Sequence, residues 1–211
     1  MNVSTMKNLI FLFLFCFTYA IQAQSITDKT FSANGIRSIN IVGENVFKIT
    51  IETKPVHEIT VSARVEGENN ENVVIVTKNS NKSLYVAAKL QPLFKDANDK
   101  LSAHKVISIE IALVVPEHLQ VFLNAYNALV VVQGNYKKVS LNSDTGNCIF
   151  NAFSGDAKIY TRKGNVALQT NHAKITASSK NGSIKKEAID AGSNQILIKT
   201  INGNITLTKS Q

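Results

Sequence analysis

From Leu119 onward the chain carries a pattern that few folds can satisfy, because apolar residues return on a nine-residue period. Counting in nines from Leu119 passes Ala128, Lys137, Gly146, Gly155, Gly164, Ala173 and Gly182. Two residues past each mark stand Val121, Val130, Val139, Cys148, Ala157, Val166, Ile175 and Ile184. Four residues past stand Leu123, Val132, Leu141, Phe150, Ile159, Leu168, Ala177 and Lys186. Fifteen of these sixteen positions are apolar, and Lys186 is the exception. Three extra residues then enter, and the phase resumes at Asn194 (Ile196, Ile198) and Gly203 (Ile205, Leu207).

Within each window every second residue is apolar, as in Asn165-Val166-Ala167-Leu168-Gln169. Alternation with a period of two gives a strand one dry face and one wet face. Between windows stand Thr145-Gly146-Asn147, Ser154-Gly155-Asp156, Lys163-Gly164-Asn165, Asn181-Gly182-Ser183 and Asn202-Gly203-Asn204. Glycine followed by Asn, Asp or Ser turns a chain sharply. Strand plus corner at constant spacing is the mark of a solenoid. Alternate corners, at Gly146, Gly164, Gly182 and Gly203, share a phase, with the insertion falling before the last, so a turn of two strands fits. A three-sided turn is the variant. The expected fold is therefore all-β, a parallel β-helix with Cys148, Phe150, Val166, Leu168, Ile184, Ile205 and Leu207 inside. A β-sandwich of hairpins is the rival, although its loops need no constant period. A bulge is expected to turn Lys186 outward. The corner residues Asn147, Asn165 and Asn204 are expected to stack as a structural ladder.

The first half contributes alternating runs at 36–41, 46–51, 58–65, 73–76 and 83–86, then a strong strand at 106–115. Residues 89–105 lose the alternation and read as a long loop. No linker is evident. Residues 24–211 are read as a single unit, with a strand-rich half at 24–118 continuous with the regular repeats at 119–211. Residues 1–23 read as an export signal: Lys7, a Leu- and Phe-rich run too short for a membrane span, and a cleavage site at Ala23, with Ala20 as the alternative. No second hydrophobic run suggests a membrane anchor, and a location in the periplasm or at the cell surface is expected. The mature chain keeps one cysteine, Cys148, so it forms no internal disulfide.

Charge is uneven. Residues 134–211 hold eleven Lys or Arg against four Asp or Glu, whereas residues 24–133 balance. A one-signed surface attracts polyanions, and lysines near sheet edges also discourage strand-to-strand aggregation. Lys158, Arg162, Lys163, Lys174 and Lys185 are the candidate surface for an anionic ligand. The partners expected are an acidic glycan, lipopolysaccharide or an envelope protein, and nucleic acid is not among them.

Catalytic signals are weak. Asp144 and Asp156 fall at corners, where Asp serves turns. His57, His104, His118 and His172 show no metal-ligand spacing. No cofactor or metal is expected, and enzyme activity on carbohydrate is the least favoured class. Tyr160 is outward by phase, and one exposed Tyr does not make a sugar platform. A second class of function is structural, with the last turn at 203–207 leaving an open strand edge that a second copy would cap.

The opening Phe31-Ser32-Ala33-Asn34-Gly35-Ile36-Arg37-Ser38-Ile39-Asn40-Ile41, the middle Val114-Val115-Pro116-Glu117-His118-Leu119-Gln120-Val121 and the serial Gly corners resemble a bacterial family. It is the auto-transporter adhesin head GIN domain family of Bacteroidetes, with a related adhesin-like β-helix family. The resemblance runs from about Phe31 to Leu207. It implies a right-handed parallel β-helix, export and a role at the cell surface, and it supplies no catalytic residues.

Overall fold

The computed structural model describes residues 25–67, 73–90 and 108–210. The export signal at 1–23, His104 and most of the 89–105 loop lie outside the described residues. The chain is all-β, with no helix among the described residues, and the fifteen strands of those residues form one open sheet.

The strands fall into two rows. The first row runs, neighbour to neighbour, through β1 (Ser25–Ser32), β4 (Glu58–Glu66), β7 (Ser108–Pro116), β3 (Lys48–Lys54), β9 (Leu129–Thr145), β10 (Cys148–Lys163), β11 (Val166–Thr170), β15 (Ile205–Lys209) and β13 (Ile184–Lys186). The second runs through β5 (Val73–Ser80), β6 (Ser83–Leu90), β2 (Ser38–Gly43), β8 (Gln120–Asn127), the later halves of β9 and β10, β14 (Asn194–Asn202) and β12 (Ala173–Ser179). The long strands β9 and β10 belong to both rows and join them. Antiparallel pairing is confined to β1 with β4, β4 with β7, and β5 with β6. All pairing among β8 to β15 is parallel. A sandwich of hairpins would need antiparallel neighbours there.

The nine-residue pattern becomes register. Val130, Cys148 and Val166 are successive Cα partners in the first row, and Val121, Val139 and Ala157 in the second. Two strands of the repeat thus separate equivalent positions, and every one of these six side chains is at most 1% exposed. Full burial of a Val, Leu or Ile is worth about 1.5–3 kcal/mol, so the repeated columns supply most of the driving force. The N-terminal half adds to the same columns, because Ile49 pairs with Val130 and Ile39 with Val121. Strand β1 carries no clear alternation. It lies at the edge of the sheet, where only one neighbour constrains it, and the exposed Ile26 shows how little it buries.

The C-terminal order departs from expectation. Ala157 pairs not with the next strand of its phase but with Ile196, and Ile196 pairs on its other side with Ile175. In the first row Val166 pairs with Ile205, and Ile205 with Ile184. The last turn, β14–β15, is therefore threaded between the turn before it and the body of the stack. The corner side chains repeat this order. Asn147 Oδ1 accepts the Asn165 N–H at 3.0 Å, Asn165 Oδ1 that of Asn204 at 2.8 Å, and Asn204 Oδ1 that of Ser183 at 2.9 Å. The ladder is built of side chain to backbone bonds and not of stacked amides.

Three expectations change as a result. The open edge is not the 203–207 turn, since β15 has neighbours on both sides; it is β12 and β13. No bulge occurs at Lys186, whose strand pairs in unbroken register with Lys186 opposite Leu207. Ile184 is not interior but 44% exposed, whereas Ile205 and Leu207 are buried. Lys186 supplies the physical reason. In sequential order it would take the phase of Leu168 and lie enclosed between Leu168 and Leu207. Burying an unpaired ammonium costs several kcal/mol. Threading gives the enclosed turn Ile196, Ile198, Ile205 and Leu207, and leaves Lys186 in solvent.

Cys148 is fully buried among these columns, and loss of solvation pushes its thiol up to about 11. A maleimide at pH 8 is expected to leave Cys148 unlabelled in the native protein and to label it after denaturation, because the thiolate is the reactive form. Labelling of Cys148 in the native protein at the rate of a free cysteine would contradict this placement.

Candidate binding groove on the outer face

Five strands of the second row, β8, β9, β10, β14 and β12, present one continuous outer surface. Side chains on its outward columns stand up from the sheet and enclose a groove of about 780 Å³. Its floor is the backbone at Ala125, Ser143, Thr161, Thr200 and Ser179, whose side chains point inward. One wall is the column Asn124, Asn142, Tyr160, Lys199 and Ser178. The other is Tyr126, Asp144, Arg162, Ile201 and Lys180. With strands about 4.8 Å apart, five of them give a groove of about 19 Å, enough for a short oligomeric ligand.

Apolar and polar groups are placed side by side here. Tyr126, Tyr160 and Ile201 are 52%, 38% and 45% exposed, although each is large and apolar over most of its surface. Between the two tyrosines, Arg162 meets Asp144 through both Nε and Nη2, the latter at 2.7 Å. The guanidinium holds the Asp144 carboxyl below its ordinary range, mainly through these hydrogen bonds. The pair is nearly neutral in sum. Asn142 Nδ2 donates to Asn124 Oδ1 at 3.2 Å beside it. Lys180 and Lys199 stand at the β14–β12 end of the groove.

A second recess of about 340 Å³ opens at the other end of the same strands, lined among others by Lys138, Asp156, Lys158, Lys174 and Gln195. Asp156 Oδ1 accepts the Gln195 N–H at 2.8 Å.

The five basic candidates do not form one patch. Arg162 lies in the large groove, Lys158 and Lys174 in the second recess, and Lys163 at the corner that ends β10. Lys185 is on β13, in the other row. The carboxylates Asp144 and Asp156 stand toward opposite ends of the paired segments of the adjacent strands β9 and β10. Asp156 is opposite Lys138 on β9, six positions before Asp144. That is about 20 Å along a strand, whereas paired glycosidase carboxylates stand about 5–9.5 Å apart. His57, His118 and His172 are exposed, and among the described residues no three of His, Cys, Asp or Glu gather as metal ligands.

The groove itself was hidden from sequence reasoning. Tyr126 belongs to β8 and Tyr160 to β10, and β9 lies between their strands. The signal that could have found them was phase, since both fall at outward positions near the same corner. Ile201 and Lys199 join them only through the threaded order.

No protein-family profile matches the chain, and no curated protein matches it in sequence. Solved structures do. A "putative cell adhesion protein" from Clostridium sporogenes superposes with a TM-score of 0.65 at 14% identity, over 89% of this chain and 100% of that one. A "putative adhesin" from Bacteroides fragilis aligns over 88% of this chain and 98% of its own at 11% identity, with a TM-score of 0.41. A "putative lipid binding protein" from Parabacteroides distasonis aligns over 89% and 94% at 10% identity, with a TM-score of 0.33. Of these three, the first superposes well enough to establish a shared fold.

Proposed function

We propose that this chain is an exported, non-enzymatic binding module of the bacterial envelope, adhesin-like in role, that holds an acidic glycan in the groove of β8, β9, β10, β14 and β12. The observation that carries this reading is the meeting of Tyr126, Tyr160 and the Asp144–Arg162 pair in one groove. A sugar ring offers an apolar face and a rim of hydroxyls. The tyrosine rings suit the first, while Asp144, Arg162, Asn142 and Asn124 supply acceptors and donors for the second. Lys180 and Lys199 stand where an acidic substituent would be met. The architecture is read as a right-handed parallel β-helix and one unit over 24–211, with membership of the head GIN domain family. The two-strand register and the fold shared with the Clostridium sporogenes protein support that reading. Export rests on the character of residues 1–23, and removal after Ala23 would leave β1 whole.

The test is a glycan array carrying acidic oligosaccharides and their neutral counterparts, followed by titration of the best acidic ligand. Tyr126→Ala and Tyr160→Ala are each expected to weaken binding about tenfold or more, or about 1.4 kcal/mol, as for an aromatic anchor covered by its ligand. Unchanged affinity in the double variant would remove the groove from consideration.

A second reading has its own observation. Lys138, Lys158 and Lys174 line a recess with only Asp156 to offset them. A polyanion such as a lipopolysaccharide phosphate would sit there instead. Lys158→Glu with Lys174→Glu would then abolish binding while the tyrosine variants bind normally.

A further inference from the structure

The stack ends at β12 and β13, beyond which no further strand is laid among the described residues. Strand β12 pairs with β14 alone and β13 with β15 alone, so each leaves one edge without a strand neighbour. These edges lie at the same end of both rows. Their interior-phase side chains are incompletely covered. Ile175 is opposite Ile196 and Ala177 opposite Ile198, yet Ile196 and Ile198 are buried while Ile175 and Ala177 remain half-exposed. Ile184, opposite the fully buried Ile205, is 44% exposed.

The charge at this end is mainly positive. Lys174, Lys180, Lys185 and Lys186 are exposed, and none forms an ion pair among the described residues. The nearby acids are already engaged: Glu187 accepts the Lys209 backbone N–H at 2.9 Å, and Asp190 pairs with Lys209 Nζ at 2.9 Å.

We infer that the β12–β13 end is a strand-acceptor surface for an extended acidic segment of a partner protein, apolar at alternate positions, which adds as the next turn. Main-chain hydrogen bonds to the free edge would supply affinity, and the partly exposed apolar side chains of Ile175, Ala177 and Ile184 would set register. The four lysines would select acidic outward residues and steer the encounter. A second copy is disfavoured by the same charges. Two such ends meeting edge to edge would set lysine against lysine, which destabilises cross-strand pairs. If the lysines serve only to keep the edge unpaired, no strand binds at all.

The probe is a labelled peptide copying residues 194–209, with Lys199→Glu and Lys209→Glu. That segment already pairs with β12 and β13 from the inner side, so its apolar phase matches. Anisotropy titration of the full chain is expected to give at least tenfold tighter binding for the Glu peptide than for the unaltered Lys peptide, weakening as salt is added. Hydrogen exchange is expected to slow at amides in 173–179 and 184–186. Replacing all four lysines with Glu should reverse the preference between peptides. The exchange comparison on the unaltered chain needs no variant to fold. Equal binding of the two peptides, no added protection, or faster exchange in 194–209 through displacement of the native turn would each overturn the inference. So would concentration-dependent self-association that protects the same amides without peptide.

Discussion

Ile205→Asp is expected to destabilise the protein by about 4 kcal/mol or more, whereas Ile184→Asp should change stability by less than about 1 kcal/mol. The two residues occupy the same phase of the repeat and are Cα partners in adjacent strands. Ile205 has no exposure and sits between β11 and β13. A carboxylate there has no cationic partner and nothing to offset its lost solvation. Ile184 is on the terminal strand and already meets water. Urea denaturation of both variants checks the difference, read as a shift in midpoint at constant slope. If the effects were equal, or reversed, the terminal turn would not be enclosed.

Gly146→Ala is the second large effect, with an expected loss of about 3–5 kcal/mol. Gly146 holds φ at 124°, a conformation hostile to side chains, and a Cβ there would run into the carbonyl oxygen of Ala128 on the neighbouring turn. Strain at such a φ costs about 1–3 kcal/mol, and overpacking against backbone about as much again. Gly35→Ala separates the two contributions. Gly35 also has positive φ, at 79°, but a Cβ added to it meets nothing within 4 Å. Its substitution should cost only the strain, about 1 kcal/mol. Thermal or urea denaturation of the two variants reads the difference. Equal losses at both positions would show that the corners are not stacked in close contact.

Period and phase alone were enough for the all-β class, most of the strands and most of the interior, because each of those depends only on which residues share a face. They could not supply stacking order. Exchanging two consecutive turns leaves the phase of Ile184 and Ile205 identical, so the wider spacing from Gly182 to Gly203 reads as a simple insertion. The one residue that carried the information was Lys186. Its place in an apolar column is a conflict that a bulge would relieve, and that moving the whole turn to the open end relieves without disturbing register. The site was less legible for a related reason. Asp144 and Arg162 stand one full turn apart, and their ion pair follows directly from the turn length. The groove's wall residues Lys199 and Ile201 take their places beside Tyr160 and Arg162 only once β14 lies between β10 and β12.

The groove and the open end both depend on that placement, and a pair of engineered disulfides tests it directly. Adjacent strands set Cα atoms about 4.8 Å apart, within disulfide reach, whereas strands separated by a third lie at about twice that distance, beyond it. Lys158 is the Cα partner of Leu197, and Leu197 that of Thr176. Under mild oxidation the chain with Lys158→Cys and Leu197→Cys should cross-link fully, and that with Lys158→Cys and Thr176→Cys should not. Cross-linking of 158 to 176 with 158 to 197 left reduced would place β12 directly on β10 and dismantle the groove, the enclosed terminal turn and the acceptor edge together.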